Sequence, residues 1–341
     1  MTNYIENHVL VSIIIPVFNT ASYLYESLYS VTHQTHNNLE IIVIDDGSTD
    51  ESSKICDEFS QNDDRIYVMH TKNNGLSAAR NIGVRHAKGT FILFLDSDDW
   101  IAPNTIETML ITAFQAKADV VVADSIAEYV DRSVHPQREQ CVKVYRDQDI
   151  LSAYAEGKLR DVVWNKLYAN SCFSLLLFPE GHYYEDVDVT WKLMRHLADN
   201  CGIVVKIPEE LFHQRVRKSS ISHARTFCTI VDCWKAYYGK FEALPEYKDW
   251  LIPGCVAAIS RMWPNYNGFS KAEKKKANTI IREMCDFSRK YRRKILTGDY
   301  NQHIKKICLI SQSRSHLLMW LMHHGGRIHR MFMKTKNVMF D

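Results

Sequence analysis

No two of the nine cysteines stand at CxxC spacing, and none is grouped with histidine in a zinc-ligand pattern. Scattered from Cys56 to Cys308, they exclude a disulfide framework and a structural zinc site. They read instead as reduced, packed thiols of a cytosolic protein. Long apolar runs are missing too: nowhere do 18 consecutive apolar residues occur, and Met1 to His8 lacks a basic region followed by an apolar stretch. Neither secretion nor a membrane span is therefore expected. A third absence is local. Residues 301–340 contain no Asp or Glu, although Lys305, Lys306, Arg314, Arg327, Arg330, Lys334 and Lys336 lie there. With Asp341 counted, residues 301–341 carry a surplus of six positive charges, which leaves −4 for residues 1–300 of a chain whose formal net charge is +2.

What remains is ample for a core. With 341 residues, 46% hydrophobic and 24% charged, the chain is long enough for one large domain with an appendage, or two modest domains. From Val9 to about Asp124, short apolar β-branched runs alternate with segments of helical period. Strands are expected at Val9–Ile15, Leu39–Ile44, Arg65–His70, Phe91–Leu95 and Val120–Val122, with helices at Ser22–Thr32, Glu51–Phe59, Leu76–Ala87 and from Pro103. The pattern predicts an α/β fold, a mostly parallel central sheet covered by helices on both faces. A less regular region follows at about 125–225, and the rest, from about 226, reads as helical.

The polar residues fall at one end of this sheet. Pro16 to Asn19 follows the first strand, Asp45-Asp46-Gly47-Ser48 the second, Asn73-Asn74-Gly75 the third and Asp96-Ser97-Asp98-Asp99 the fourth. All four lie at carboxyl ends of strands, where open α/β sheets bind ligands. Three carboxylates after the apolar run Thr90 to Leu95 suit a divalent cation that in turn holds phosphate. The competing reading is a turn or helix cap, with Asp99 capping a helix that starts near Pro103. A second acidic pair, Glu185-Asp186, precedes Val187, Trp191, Met194 and Leu197 at helical spacing, which puts it on the first turn of a helix with a buried face.

In order and spacing, Ile13-Ile14-Ile15-Pro16-Val17-Phe18-Asn19, Asp45-Asp46-Gly47-Ser48, Asn74-Gly75 with Ala79-Arg80-Asn81, Asp96-Ser97-Asp98-Asp99 and Glu185-Asp186 together resemble glycosyltransferase family 2. These are inverting enzymes of the GT-A fold that use nucleotide-sugar donors. The resemblance covers about residues 9–222. It implies a GT-A catalytic domain over 1–225, with a nucleotide-binding half at about 9–124 and an acceptor and base half at about 125–225. A helical C-terminal region, 226–341, ends in the basic amphipathic tail.

The resemblance also implies roles. Mn²⁺ or Mg²⁺ would sit on Asp98, with Asp96 serving the metal or the ribose hydroxyls, Asp99 supporting and His213 a further candidate ligand. The nucleotide would meet Pro16, Phe18, Asn19, Asp45, Asp46, Asn74, Gly75, Arg80, Asp96 and Ser97, with Arg215 or Arg217 clamping the diphosphate. Asp46 is the choice for the uracil imide N–H and Asp45 for fixing the loop. An Asx turn is the competing reading of that pair, and a surface Arg beside an acid that of Arg80. Asp186 would be the base, with Glu185 beside it. A helix N-terminus lowers carboxylate basicity, so burial or Glu185 would have to restore it; the competing reading is two acids favouring a helix start. Trp164-Asn165-Lys166 falls where relatives carry a segment flanking the sugar pocket, against the alternative of a core Trp with a surface Lys.

These roles describe a metal-dependent inverting transfer of a hexose or N-acetylhexosamine from a UDP-sugar to a glycan acceptor. The expected setting is capsular, exopolysaccharide or other cell-surface polysaccharide synthesis at the inner face of a bacterial membrane. The basic residues around Leu317-Leu318-Met319-Trp320-Leu321-Met322 suit contact with an anionic membrane and a lipid-linked acceptor; packing against the catalytic domain or a partner is the alternative. No nucleic-acid module is present. A catalytically silent nucleotide-sugar-binding partner subunit is the rival function, and homo- or hetero-oligomers are both open. A sugar nucleotidyltransferase would need a glycine-rich basic loop after the first strand, which Pro16-Val17-Phe18-Asn19 is not.

Overall fold

The computed structural model describes residues 9–136, 141–174, 176–217, 225–300 and 302–311. They form two compact units, 1–221 and 222–341.

In chain order the first unit contains β1 (Val11–Val17), α1 (Ala21–Thr32), β2 (Leu39–Asp45), α2 (Ser52–Asn62), β3 (Ile66–His70), α3 (Leu76–His86), β4 (Phe91–Phe94), β5 (Trp100–Ile101), α4 (Thr105–Ala116), β6 (Val120–Glu128), β7 (Ser133–Val134), β8 (Lys143–Arg146), α5 (Gln148–Ala155), β9 (Lys166–Ala169), α6 (Glu185–Asp199) and β10 (Ile203–Arg215). The strands make one ten-stranded sheet whose main path runs β3-β2-β1-β4-β9-β6-β10-β5. β3, β2, β1 and β4 are parallel, as are β6 and β10, whereas β9 runs against both β4 and β6. The first strand begins at Val11 rather than Val9, and the expected Val120–Val122 extends to Glu128.

Every residue of β1, β2 and β4 is buried, as expected of parallel strands covered on both faces. Alternation sends Ile13, Ile15, Val17, Ile41 and Val43 to a core closed by Leu24, Leu28 and Val31 of α1 and by Ile106, Met109 and Leu110 of α4. Ile42 and Ile44 point the other way, onto Ala79 of α3. α3 lies tight on the sheet at Gly83, where an added Cβ would come within 2.3 Å of the Ile14 side chain. That close approach fixes the depth of Arg80, one turn earlier on the same helix.

The second unit is helical, as the sequence predicts: α7 (Phe227–Ala243), α8 (Lys248–Asn265), α9 (Lys271–Lys290), α10 (Arg292–Thr297) and α11 (Gln302–Ser311). α9 starts at a reciprocal Ser270–Glu273 capping box. Phe287 of α9 packs edge-on against Trp234 and Phe241 of α7. No described helix is long and apolar enough to cross a membrane. The apolar segment Leu317–Met322 and the basic residues from Arg314 onward lie outside the described residues. The cysteines are all free, but only six are packed; Cys141, Cys201 and Cys228 are exposed.

Candidate active site

The carboxyl ends of β3, β2, β1 and β4 lie side by side, and each delivers the polar residues anticipated there. Pro16 and Val17, expected in the loop, are instead the buried last two residues of β1, and Phe18 after them stands 45% exposed. An exposed aromatic beside a carboxylate pair is suited to stacking on a planar base. Asn19, with a positive φ of 52°, ties this loop to the next. Its Oδ1 accepts from the Thr49 N–H at 2.7 Å, and its own N–H donates to Ser48 Oγ at 3.1 Å.

The two aspartates after β2 divide their work. Asp45 accepts from the Ser48 N–H (3.0 Å), Ser53 Oγ (2.5 Å) and His70 Nδ1 (2.8 Å). Burial would raise its pKa, but the hydrogen bonds from Ser48, Ser53 and His70 outweigh it and hold the carboxyl below the usual range. Asp45 is thus the fixer of the loop. Asp46 accepts from the backbone N–H groups of Asn74 (2.8 Å) and Gly75 (2.7 Å) and from Thr71 Oγ1 (3.2 Å). Gly75 sits at φ +90° as the N-cap of α3, a backbone that only glycine adopts without strain. Asp46 therefore spends most of its acceptor capacity shaping the β3–α3 loop. A carboxylate offers about four lone-pair sites, and these three bonds leave one of them.

Asp96 to Asp99 form the centre. Ser97 is buried and receives the Thr20 hydroxyl at 3.0 Å. Asp98 pairs through Oδ2 with Arg217, and burial with the adjacent Asp96 raises its pKa. Asp99 Oδ1 accepts from the Arg215 N–H at 2.7 Å. Burial, then Asp98 and Asp96, push Asp99 up to about 9. Asp99 does not cap α4, whose N-cap is Asn104. Arg215, expected at a diphosphate, lies between the rings of Tyr23 (4.9 Å) and Trp100 (4.7 Å) and donates to Glu26 at 2.6 Å. Arg217 also lies over Tyr23, at 4.8 Å. His213 stacks on Trp100 at 4.9 Å and gives Nδ1 to Glu128 at 2.8 Å. The following Ser219 to Ser222 lie outside the described residues.

Arg80 differs most from expectation. Neither on the surface nor offered to a nucleotide, it is 1% exposed and held by three carboxylates. Nη1 donates to Glu185 Oε1 (2.6 Å) and Asp186 Oδ1 (2.8 Å), and Nη2 to Asp96 Oδ1 (2.9 Å). A single guanidinium fork thereby joins residues 105 and 106 positions apart in sequence, with Phe178 5.4 Å from its carbon. Asp186 takes a second bond, 3.3 Å from the Val163 N–H. Burial raises its pKa, Arg80 lowers it, and Glu185 with Asp96 raise it again, for a result of about 7. Burial thus overcomes the helix N-terminus. Glu185 and Asp186 do open α6, behind Tyr184 at φ +64°.

Trp164, Asn165 and Lys166 are all buried, which removes the surface-Lys alternative. Lys166 donates to the carbonyls of Arg160 and Val162 and to Asn165 Oδ1.

Among the described residues no three His, Cys, Asp or Glu converge as a ready-made metal cage. The donor chemistry of the acid cluster nevertheless fits Mg²⁺ or Mn²⁺. Such ions are commonly held by one or two carboxylates plus substrate phosphates and water. Asp98 offers hard oxygens, and the pKa values of Asp98 and Asp99 are raised first by burial and then by the neighbouring acids, a setting in which a bound cation would favour the ionised carboxylates.

Solved structures share this architecture. Staphylococcus aureus TarS 1-349 in complex with UDP aligns at a TM-score of 0.65 and 15% identity, over 94% of this chain and 91% of that one. Its complex with UDP-GlcNAc aligns at 0.61 and 19%, over 92% and 86%. The mannosyltransferase PcManGT of Pyrobaculum calidifontis, solved with GDP-Man and Mn²⁺, aligns at 0.52 and 15%, over 89% and 85%. The fold is that of the GT-A nucleotide-diphospho-sugar transferases. Residues 12–178 match the model of Glycosyl transferase family 2. The glycosyltransferase GlyG of Streptococcus pneumoniae serotype 4 is 33% identical over 222 residues, 62% of this chain and 72% of its own. The chain belongs to glycosyltransferase family 2. EpsH of Bacillus subtilis (strain 168), named as a glycosyltransferase, is 39% identical over 217 residues, 62% of each chain. GlyA of the same pneumococcal strain is 34% identical over 225 residues, 63% of this chain and 32% of its own. The chain thus spans less than two thirds of EpsH and about a third of GlyA.

Proposed function

We propose that the protein transfers a hexose or N-acetylhexosamine from a UDP-sugar to a glycan acceptor, with inversion, in the assembly of a cell-surface polysaccharide. The observation that carries this reading is the junction at Arg80. One buried guanidinium holds Asp96 of the acid cluster and Asp186 of the α6 pair together, so the donor-side acids and the candidate base share one wall. Asp186, raised to about 7, is a stronger base than an ordinary carboxylate and is matched to taking a proton from a sugar hydroxyl at neutral pH. Glu185 is committed to Arg80. A single displacement driven by one base inverts the anomeric carbon, so an α-linked donor yields a β-linked product.

Asp98, with Asp96 and Asp99 beside it, would hold Mn²⁺ or Mg²⁺. When bound, the ion supplies Lewis-acid neutralisation of charge on the departing diphosphate. The ligands with which TarS and PcManGT were solved, UDP-GlcNAc and GDP-Man, are in keeping with a nucleotide-diphospho-sugar, and Asp46 beside Phe18 favours uracil.

A UDP-release assay across a panel of UDP-sugars, with Mn²⁺ or Mg²⁺ and with chelator, tests the reading. Release from one donor, abolished by chelation, is expected. Asp98→Asn should weaken metal-dependent donor binding at least about 10-fold, since loss of a ligand costs no less than loss of its supporting shell. Unchanged metal dependence in that variant would remove Asp98 from the ion. Donor binding with no release from any donor would favour the silent partner subunit, and no binding of any UDP-sugar would count against the donor class itself.

The proposal extends to location, peripheral at the inner face of the membrane through the basic tail, beside a lipid-linked acceptor. Deleting residues 301–341 should lower partitioning onto anionic vesicles, most strongly at low salt. Equal partitioning of both forms would count against it.

A further inference from the structure

Between α5 and β9 the four carbonyls of residues 160–163 are all held by buried side-chain donors, an ammonium and two hydroxyls. Lys166 Nζ reaches the Arg160 carbonyl at 2.8 Å and the Val162 carbonyl at 2.5 Å. Thr190 Oγ1 donates to the Asp161 carbonyl at 2.7 Å, and the Tyr168 hydroxyl to the Val163 carbonyl at 3.0 Å. Lys166, Tyr168 and Thr190 are 0%, 1% and 2% exposed. The lysine is fully coordinated, because its third proton goes to Asn165 Oδ1 at 2.8 Å. An ammonium has three protons and no acceptor, so nothing is left over for substrate. Asn165 is itself anchored by donating to the Ala123 carbonyl of β6 at 2.9 Å.

What this short segment presents is a single N–H. Val163 donates it to Asp186 Oδ2, the oxygen that Arg80 does not hold. The segment is also pinned to the helix that carries Asp186, since Thr190 stands one turn further along α6. Asp186 and Thr190 therefore grip residues 161 and 163 from the same helix face, while Lys166 and Tyr168 grip the segment from β9. A carboxylate bonded through only one oxygen rotates about its χ2 torsion, whereas one bonded through both is fixed in plane.

We propose that residues 160–163 form a strap that orients the Asp186 carboxylate, and that Lys166, Tyr168 and Thr190 are its positioning residues. The proposal rests on Asp186 being the base. It accounts for a lysine that is 0% exposed and yet has three hydrogen-bond acceptors gathered around it. A loop that only needed closing would not require a charged group there.

Three variants test it: Lys166→Met, Thr190→Val and Tyr168→Phe. The last two keep shape and ring packing and so provide folded protein even if Lys166→Met does not fold. Each is expected to lower kcat about 10-fold or more with donor KM and donor binding unchanged, since an ångström of misplacement costs up to about 100-fold in rate. The Thr190→Val/Tyr168→Phe double variant should fall short of the product of the single effects, because both act through one strap. Normal kcat in folded Thr190→Val and Tyr168→Phe would overturn the proposal, whatever happens to melting temperature. So would a loss confined to donor KM. Asp186→Asn separates the two levels. If it loses transfer while the strap variants keep theirs, only the strap fails; if it keeps transfer, the base assignment fails first.

Discussion

Asp186→Asn should bind nucleotide-sugar normally and lose about 10²- to 10⁴-fold in kcat, the range that a positioned general base contributes. Asparagine preserves the volume and can still accept from Arg80, so the wall of the site survives while the proton acceptor is removed. The pH profile makes the test sharper. A carboxylate base works deprotonated, and the pKa of Asp186 is raised from its ordinary 3.8 to about 7. Wild-type kcat should therefore climb as pH rises, level off above about 7, and fall tenfold per unit well below it. In the asparagine variant this limb should vanish from whatever activity remains. UDP release measured from pH 5 to 9 decides the matter. A wild-type profile flat down to pH 5 would mean that Arg80 outweighs burial, and near-normal turnover in the variant would place the base elsewhere.

The largest loss of stability is expected at Arg80. Its guanidinium is 1% exposed and answers Asp96, Glu185 and Asp186 together. Arg80→Met would leave three carboxylates facing one another, and uncompensated buried charge typically costs about 3–5 kcal/mol. The loss should appear as a lowered urea midpoint. Arg80→Lys should recover little of it, because an ammonium on a flexible stem cannot span both sides as the planar fork does. Adding Glu185→Gln to Arg80→Met should restore part of the stability by deleting one of the stranded charges. A change below about 1 kcal/mol in Arg80→Met would show that water or rearrangement screens the acids, and the junction would lose its importance.

The strand ends were legible, to within two residues at β1, because buried parallel strands read as apolar runs, so the polar residues that follow each one mark a turn at one edge of the sheet. Elements with mixed character were not. β9 opens on the charged Lys166 and is four residues long, and β10 carries Pro208, Glu209 and Glu210 in mid-strand, where the pairing register shifts. Neither shows a strand period. Asp98, Asp186 and Arg80 could be singled out by type and position. That Arg80 lies beneath the acids could not, since its partners on α6 are more than a hundred residues away and leave no local spacing. The same holds for Lys166. A lysine is buried when carbonyls are arranged to receive it, and the carbonyls of Arg160 and Val162 are a property of the folded loop.

β9 has one more consequence. By pairing with β4 on one side and β6 on the other, it joins β3, β2, β1 and β4 to β6, β10 and β5 in a single hydrogen-bonded sheet. Two lobes joined by a linker can open and shut like a hinge; two halves of a continuous sheet cannot without breaking ladder bonds. The interval between the acids after β4 and the carboxylates of α6 is therefore built in before any substrate arrives. Under the proposed function, donor and acceptor would meet on a floor of fixed dimensions, with only the side chains and loops above it left to adjust.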